Sequence, residues 1–177
     1  MPTGLPQSNG FLGEIPESIF RVWAKGGPGG AHARDRAMRD AMDCIFCKIV
    51  AGEIPAFKVY EDGGTLAFMD INPLCEAHLL VVSKRHFANL FDGDDAAMGQ
   101  AMAAAGKIAR AMQGTLGIDS LNLVQANGPW AAQSVQHFHI HLIPRKEGDG
   151  LGMDWPLVPG DMDAIRQTGD AIAAAIS

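Results

Sequence analysis

Three histidines at alternate positions, His137-Phe138-His139-Ile140-His141, are the densest group of reactive side chains in a sequence that has six histidines in all. Imidazole titrates near neutrality, so it acts as nucleophile, proton carrier or metal ligand at working pH. On an extended strand successive side chains point to opposite faces. That alternation predicts His137, His139 and His141 on one face, with Phe138, Ile140 and Leu142 packed on the other. Residues i and i+4 of a strand lie roughly 13 Å apart at about 3.3 Å per residue, whereas a metal–nitrogen bond is about 2 Å, so one ion does not easily hold all three. A division of labour follows, with one histidine at the edge for structure or metal and the others for chemistry. The preceding turn, Asn127-Gly128-Pro129-Trp130-Ala131-Ala132-Gln133-Ser134-Val135, offers backbone N–H groups and the Ser134 hydroxyl beside the histidines, which are phosphate-binding tools.

The second reactive group is Cys44-x-x-Cys47. With Cys75 the cysteines number three, and this spacing suits metal or redox work in a reducing compartment better than a disulfide scaffold. A net charge of -6 argues against a broad nucleic-acid surface but leaves room for a local anion pocket. No apolar run approaches the roughly 18 residues of a membrane span, and the N-terminus lacks a basic start followed by an apolar stretch. The expectation is a cytoplasmic protein with no membrane partner.

These groups need elements to position them. At 177 residues, 47% hydrophobic and 19% charged, the sequence fits one globular domain. Residues 1–41 read as an N-terminal extension, broken by Gly26-Gly27-Pro28-Gly29-Gly30, with a helical turn or two over Glu17–Lys25; residues 42–177 read as the domain. Within it the patterning predicts a short helix at Cys44–Ala51 and strands at Phe57–Glu61 and Thr65–Asp70 joined through Asp62-Gly63-Gly64. A strand at Ala77–Ser83 carries Leu79-Leu80-Val81-Val82, an apolar run that belongs in the centre of a sheet. A long helix capped by Asp94 or Asp95 follows, with Met98, Met102, Ala105, Ala109 and Met112 as its core stripe, ending near Gly114–Gly117. Strands at Ser120–Ala126 and Gln136–Ile143 and a final helix at Asp161–Ile176, with Ile165, Ile172 and Ile176 on one side, complete an α+β domain.

The segment Gln133-Ser134-Val135-Gln136-His137-Phe138-His139-Ile140-His141-Leu142-Ile143-Pro144-Arg145 resembles the signature of the histidine triad (HIT) family. Asp43-Cys44-Ile45-Phe46-Cys47-Lys48-Ile49 is similar to the opening of bacterial members, and Ala67–Pro73 and His78–His86 are similar to the family's nucleotide-side strands. The resemblance implies a five-stranded antiparallel sheet, a homodimer, and hydrolase or nucleotidyl-transferase activity at the α-phosphate of a purine nucleotide. Dinucleoside polyphosphates and nucleoside phosphoramidates both stay open as substrates.

By the same resemblance, His139 is the nucleophile that forms a nucleotidyl-histidine, His141 holds phosphoryl or bridging oxygen, and Ser134 assists the leaving group. Ile45, Phe46, Phe68 and Ile71 line the base pocket, Asp70 accepts from ribose hydroxyls, and Asn127 and Gln133 stand on the substrate side, although Asn127-Gly128 is equally a turn. Cys44, Cys47, His86 and His137 form a structural zinc site, and His78 is a structural strand histidine. Two departures from the family pattern stand out. Ala132 occupies a usual glycine position after the unusual pair Pro129-Trp130, and Cys75-Glu76-Ala77 replaces Thr/Ala-Pro-Gly. Two rival readings remain: a zinc-stabilised nucleotide-binding or interaction module with little turnover, and a metallohydrolase using all three histidines.

Overall fold

The computed structural model describes residues 40–152 and 159–176. The expected helical turn at Glu17–Lys25, His32 and Trp155 lie outside the described residues. Five strands form one antiparallel sheet: β1 (Lys58–Glu61), β2 (Thr65–Met69), β3 (Leu79–Ser83), β4 (Ser120–Val124) and β5 (His139–Arg145), in the spatial order β1-β2-β3-β5-β4. Helices α1 (Ile45–Ala51), α2 (Asp95–Leu116) and α3 (Met162–Ile176) accompany the sheet, and residues 40–43 are also helical. The predicted fold class is the observed one.

Strand β3 lies in the middle of the sheet, and every residue of Leu79–Ser83 is buried. Its alternation sorts the core into two layers. Leu79 and Val81 face α2 together with Ala67, Phe138, Ile140 and Leu142, whereas Leu80 and Val82 face α1 together with Leu66 and Phe68. The β3–β5 register sets Leu80 opposite His141 and Val82 opposite His139, so both histidines share the α1 face. In the β1–β2 turn, Asp62 Oδ1 accepts from the N–H groups of Gly64 and Thr65 at 2.9 and 2.8 Å, an aspartate-capped turn of the kind the Asp-Gly-Gly sequence favours.

Asp94 is the N-cap of α2, its side chain accepting from Ala97 N–H at 2.8 Å, and Gly117 closes the helix in the left-handed region at φ 67°. The methionine stripe expected on this helix is corrected in one position. Met102 is 53% exposed, because the inward line runs through Ala97, Ala101, Ala104, Ala105, Ile108 and Met112, about 100° around the helix from it. Small alanines let α2 lie close on the sheet. The final strand also starts later than expected, at His139 instead of Gln136. His137 therefore precedes the strand and does not share its alternation.

Candidate functional site

The N-terminal end of β5 separates two groups of histidines. His137 is fully buried, and its Nε2–H donates to the Ser83 carbonyl at 2.7 Å. That bond leaves the Nδ1 lone pair facing Cys44 Sγ at 3.3 Å, Cys47 Sγ at 3.5 Å and His86 Nδ1 at 3.3 Å. Cys47 Sγ lies 3.3 Å from His86 Nδ1, and all four ligand atoms lie within 4.8 Å of one another. Zinc bonds of about 2.3 Å to sulfur and about 2.0 Å to nitrogen give tetrahedral edges of roughly 3.3 Å between nitrogens and about 3.5 Å between nitrogen and sulfur, so these four separations fit that donor set. The Ser83 carbonyl supplies the outer contact that metal-binding histidines characteristically have.

Local sequence explains the convergence. The C-x-x-C spacing places Cys44 at the N-cap of α1 and Cys47 one turn in. His86 arrives on the loop after β3, which is tied to the histidine segment by a 2.7 Å bond from Phe138 N–H to Phe87 O. The hydrogen bond from Cys47 holds the Cys44 thiol far below its usual range against the opposing effect of burial, with His137 and His86 assisting, while the same pairing and burial push Cys47 up. One proton leaves the pair easily and the second only when a cation compensates the charge.

The other group lies on the strand. His139 is buried, and its Nδ1–H donates to the His137 carbonyl at 2.6 Å, which leaves the Nε2 lone pair as its reactive atom. Burial lowers the His139 pKa, keeping the ring neutral. The edge of Phe46 meets this ring with centroids 5.2 Å apart. His141 lies with its ring centroid 4.9 Å from that of His139, and burial, then the neighbouring His139 and His78, push its pKa down to about 4. His78 Nε2 lies 2.9 Å from His141 Nδ1. Neither the Nε2 of His139 nor that of His141 has a hydrogen-bond partner among the described residues, and His141 is half-buried.

The turn before the strand is laced by its own side chains. Gln133 Oε1 accepts from Gly128 N–H at 2.8 Å, and its Nε2 donates to Ala88 O and Val135 O at 2.6 and 3.1 Å. Asn127 Oδ1 accepts from Leu90 N–H at 2.8 Å while its Nδ2 donates to Gln125 at 2.6 Å. Both amides, expected on the substrate side, hydrogen-bond within the loops of this structure. Ser134 remains exposed at the end of the turn.

Of the expected base-pocket residues, Phe46 and Phe68 are buried and pack edge-on at 5.6 Å beneath the histidines, while Ile45 and Ile71 are exposed. Asp70 Oδ1 accepts from Asn72 N–H at 2.8 Å, and its Oδ2 lies 3.7 Å from His78 Nδ1. Sequence reasoning missed the Ser83 carbonyl, which no side-chain pattern encodes, and assigned His78 no contact with the triad. The signal for His78 was its place two residues before Leu80, the residue paired with His141.

Comparison with known proteins agrees with this arrangement. The HIT domain family model matches residues 51–148. Adenosine 5'-monophosphoramidase HNT1 of Saccharomyces cerevisiae is 43% identical over 123 residues, 69% of this chain and 75% of that protein. A crystal structure of a HIT-family member from Bacillus subtilis superimposes with a TM-score of 0.70 at 41% identity, covering 75% of this chain and 96% of the other. A zinc-bound histidine triad family protein from Mycobacterium smegmatis superimposes with a TM-score of 0.61 at 34% identity, covering 76% and 96%. The sheet, the histidine strand and these matches together establish that this chain belongs to the HIT family.

Proposed function

We propose that this HIT-family hydrolase attacks the α-phosphate of a purine nucleotide through His139 and releases a phosphoanhydride or phosphoramidate leaving group. One observation carries the reading: the 2.6 Å bond from His139 Nδ1–H to the His137 carbonyl fixes the tautomer in which Nε2 holds a lone pair, with no hydrogen-bond partner among the described residues. In this mechanism Nε2 forms a bond to phosphorus as the bond to the leaving group breaks. Water then cleaves the phosphorus–nitrogen bond and regenerates His139. As the His139 ring becomes cationic, its Nδ1–H bond to a carbonyl strengthens, which stabilises the intermediate.

His141 and Ser134 serve the phosphoryl oxygens and the leaving group, and the laced turn holds Ser134 at that end. Phe46 and Phe68 form the floor below the histidines, with Ile45, Ile71 and Asp70 at the nucleoside side. The naming of the yeast relative as an adenosine 5'-monophosphoramidase supports phosphoramidates as the first substrates to try.

Cys44, Cys47, His86 and His137 hold zinc in this proposal, and the zinc-bound mycobacterial relative supports it. A metal closed off by four protein ligands supplies folding energy and no catalytic Lewis acidity. In this reading it anchors the start of the strand that carries His139. A homodimer is part of the proposal as well. Strand β4 lies at one edge of the sheet, and the outer face of α2 exposes Gly99, Met102 and Ala103. Steady-state turnover of adenosine phosphoramidates against diadenosine polyphosphates tests the substrate class. Absence of turnover across both panels overturns the hydrolase mechanism.

A further inference from the structure

We propose that His78 is a positioning residue that fixes the tautomer of His141 opposite to that of His139, so that two adjacent imidazoles present one lone pair and one N–H donor from chemically equivalent atoms. The chain of contacts starts at the backbone. Leu74 N–H, which can only donate, lies 3.1 Å from His78 Nδ1, so that nitrogen accepts. A neutral His78 then carries its hydrogen on Nε2. That atom lies 2.9 Å from His141 Nδ1, which must accept. The hydrogen of neutral His141 is left on Nε2, the atom without a partner among the described residues.

The competing arrangement places a hydrogen on His78 Nδ1 toward Asp70. Two distances decide against it. Asp70 Oδ2 lies 3.7 Å away, beyond hydrogen-bond length, and a hydrogen there would confront the Leu74 N–H at 3.1 Å. Double protonation of His78 is opposed by its burial, which lowers its pKa more than the Asp70 charge raises it. The same three side chains place ligand atoms within 4.8 Å of one another. The 2.9 Å separation of the two imidazole nitrogens is nonetheless a hydrogen-bond length, shorter than the roughly 3.3 Å edge that two nitrogens span around zinc.

The consequence for chemistry rests on the function proposed above, whereas the tautomer does not. A lone pair on His139 Nε2 attacks phosphorus, and a donor on His141 Nε2 meets the oxygen on which charge accumulates. If both rings shared one tautomer, either the nucleophile or the donor would be lost.

The test is long-range proton–nitrogen NMR on the 15N-histidine-labelled, zinc-loaded full chain, paired with His78→Gln and His78→Asn. The expected spectrum shows His141 protonated at Nε2 and His139 at Nδ1. Glutamine places an amide donor at the Nε2 position of the ring and asparagine does not, so His78→Gln keeps kcat within about threefold. His78→Asn lowers kcat about 10- to 100-fold with little change in KM, the range expected when an outer hydrogen-bond partner is removed. A spectrum with His141 protonated at Nδ1 overturns the proposal, whatever the turnover. Equal loss in both variants overturns the positioning role, as does a second equivalent of bound metal that His78→Asn removes. Failure of the hydrolase reading itself would appear differently, as the expected spectrum without turnover on any nucleotide.

Discussion

The two ends of the histidine run use the same side chain for opposite purposes. At His137 the imidazole is sealed: Nε2 is bound to Ser83 O, and Nδ1 faces two sulfurs and a second imidazole. Two residues later His139 turns the other ring nitrogen to the backbone, donating from Nδ1 to the His137 carbonyl and leaving Nε2 without a partner among the described residues. In the proposed mechanism, what separates the metal ligand from the nucleophile is which nitrogen the backbone holds. His137 stands before the strand and enters the cysteine cluster; His139 begins the strand and meets the edge of Phe46.

The largest effect expected from breaking this contrast is at the open end. His139→Ala should reduce turnover about 10⁴-fold or more, the scale on which loss of a covalent nucleophile acts, while leaving zinc content and thermal midpoint near those of the parent. Metal analysis and melting curves on the same preparation check the second half. At the sealed end the pattern reverses. Cys44→Ala should cost about 3 kcal/mol of stability, or on the order of 10 °C in thermal midpoint for a chain of this size, with loss of bound metal. Any fall in activity should then track the unfolded fraction. A Cys44→Ala protein that melts like the parent and binds no metal would remove the structural role of the cluster.

A smaller effect is expected with pH. The folded pKa of His141 lies at about 4 against an ordinary value of 6.5. Between those values the unfolded chain binds the proton that the folded chain refuses, so stability is full above pH 6.5 and declines as pH falls toward 4. Below about 4 this group adds no further loss. Denaturation midpoints at intervals across that window should fall less steeply in His141→Gln than in the parent, and parallel curves would contradict the assignment.

The smallest effect is in the turn before β5. Ala132 has φ 59° and Ala77 has φ 61°, and both occupy places where the family pattern has glycine. A left-handed backbone costs a residue with a Cβ roughly 1–2 kcal/mol, partly offset by the extra freedom of glycine in the unfolded chain. Ala132→Gly should therefore stabilise the protein by up to about 1 kcal/mol in denaturant titrations. A clear loss of stability would mean that the alanine makes contacts that outweigh its strain.

The sealed end was the more legible from sequence: C-x-x-C on a short helix suggested metal or redox work, and the resemblance to the HIT family supplied His86 and His137 as its partners. The central strand was equally clear, since Leu79–Val82 has no polar face to give water. The place where β5 begins was not. Period-two reasoning extended the strand back to Gln136, but the Nε2–H bond to Ser83 O and the Phe138–Phe87 bond hold His137 in a bend that only tertiary contacts specify. Met102 was misplaced for a related reason: a stripe of large residues attracts attention, and the face that packs is the alanine face. The loop contacts of Gln133 and Asn127 were hidden because Ala88 and Leu90 lie about 40 residues away and take part through backbone atoms.

The division between the two ends is tested most directly by locating the covalent intermediate. The zinc-loaded chain is mixed with an adenosine phosphoramidate, quenched within one turnover, and its peptides are mapped by mass spectrometry. The account predicts an adenylyl group on His139, absent from His139→Ala and retained in Ser134→Ala. An adduct on His137 or His141, or complete turnover with no adduct on any histidine, would contradict it.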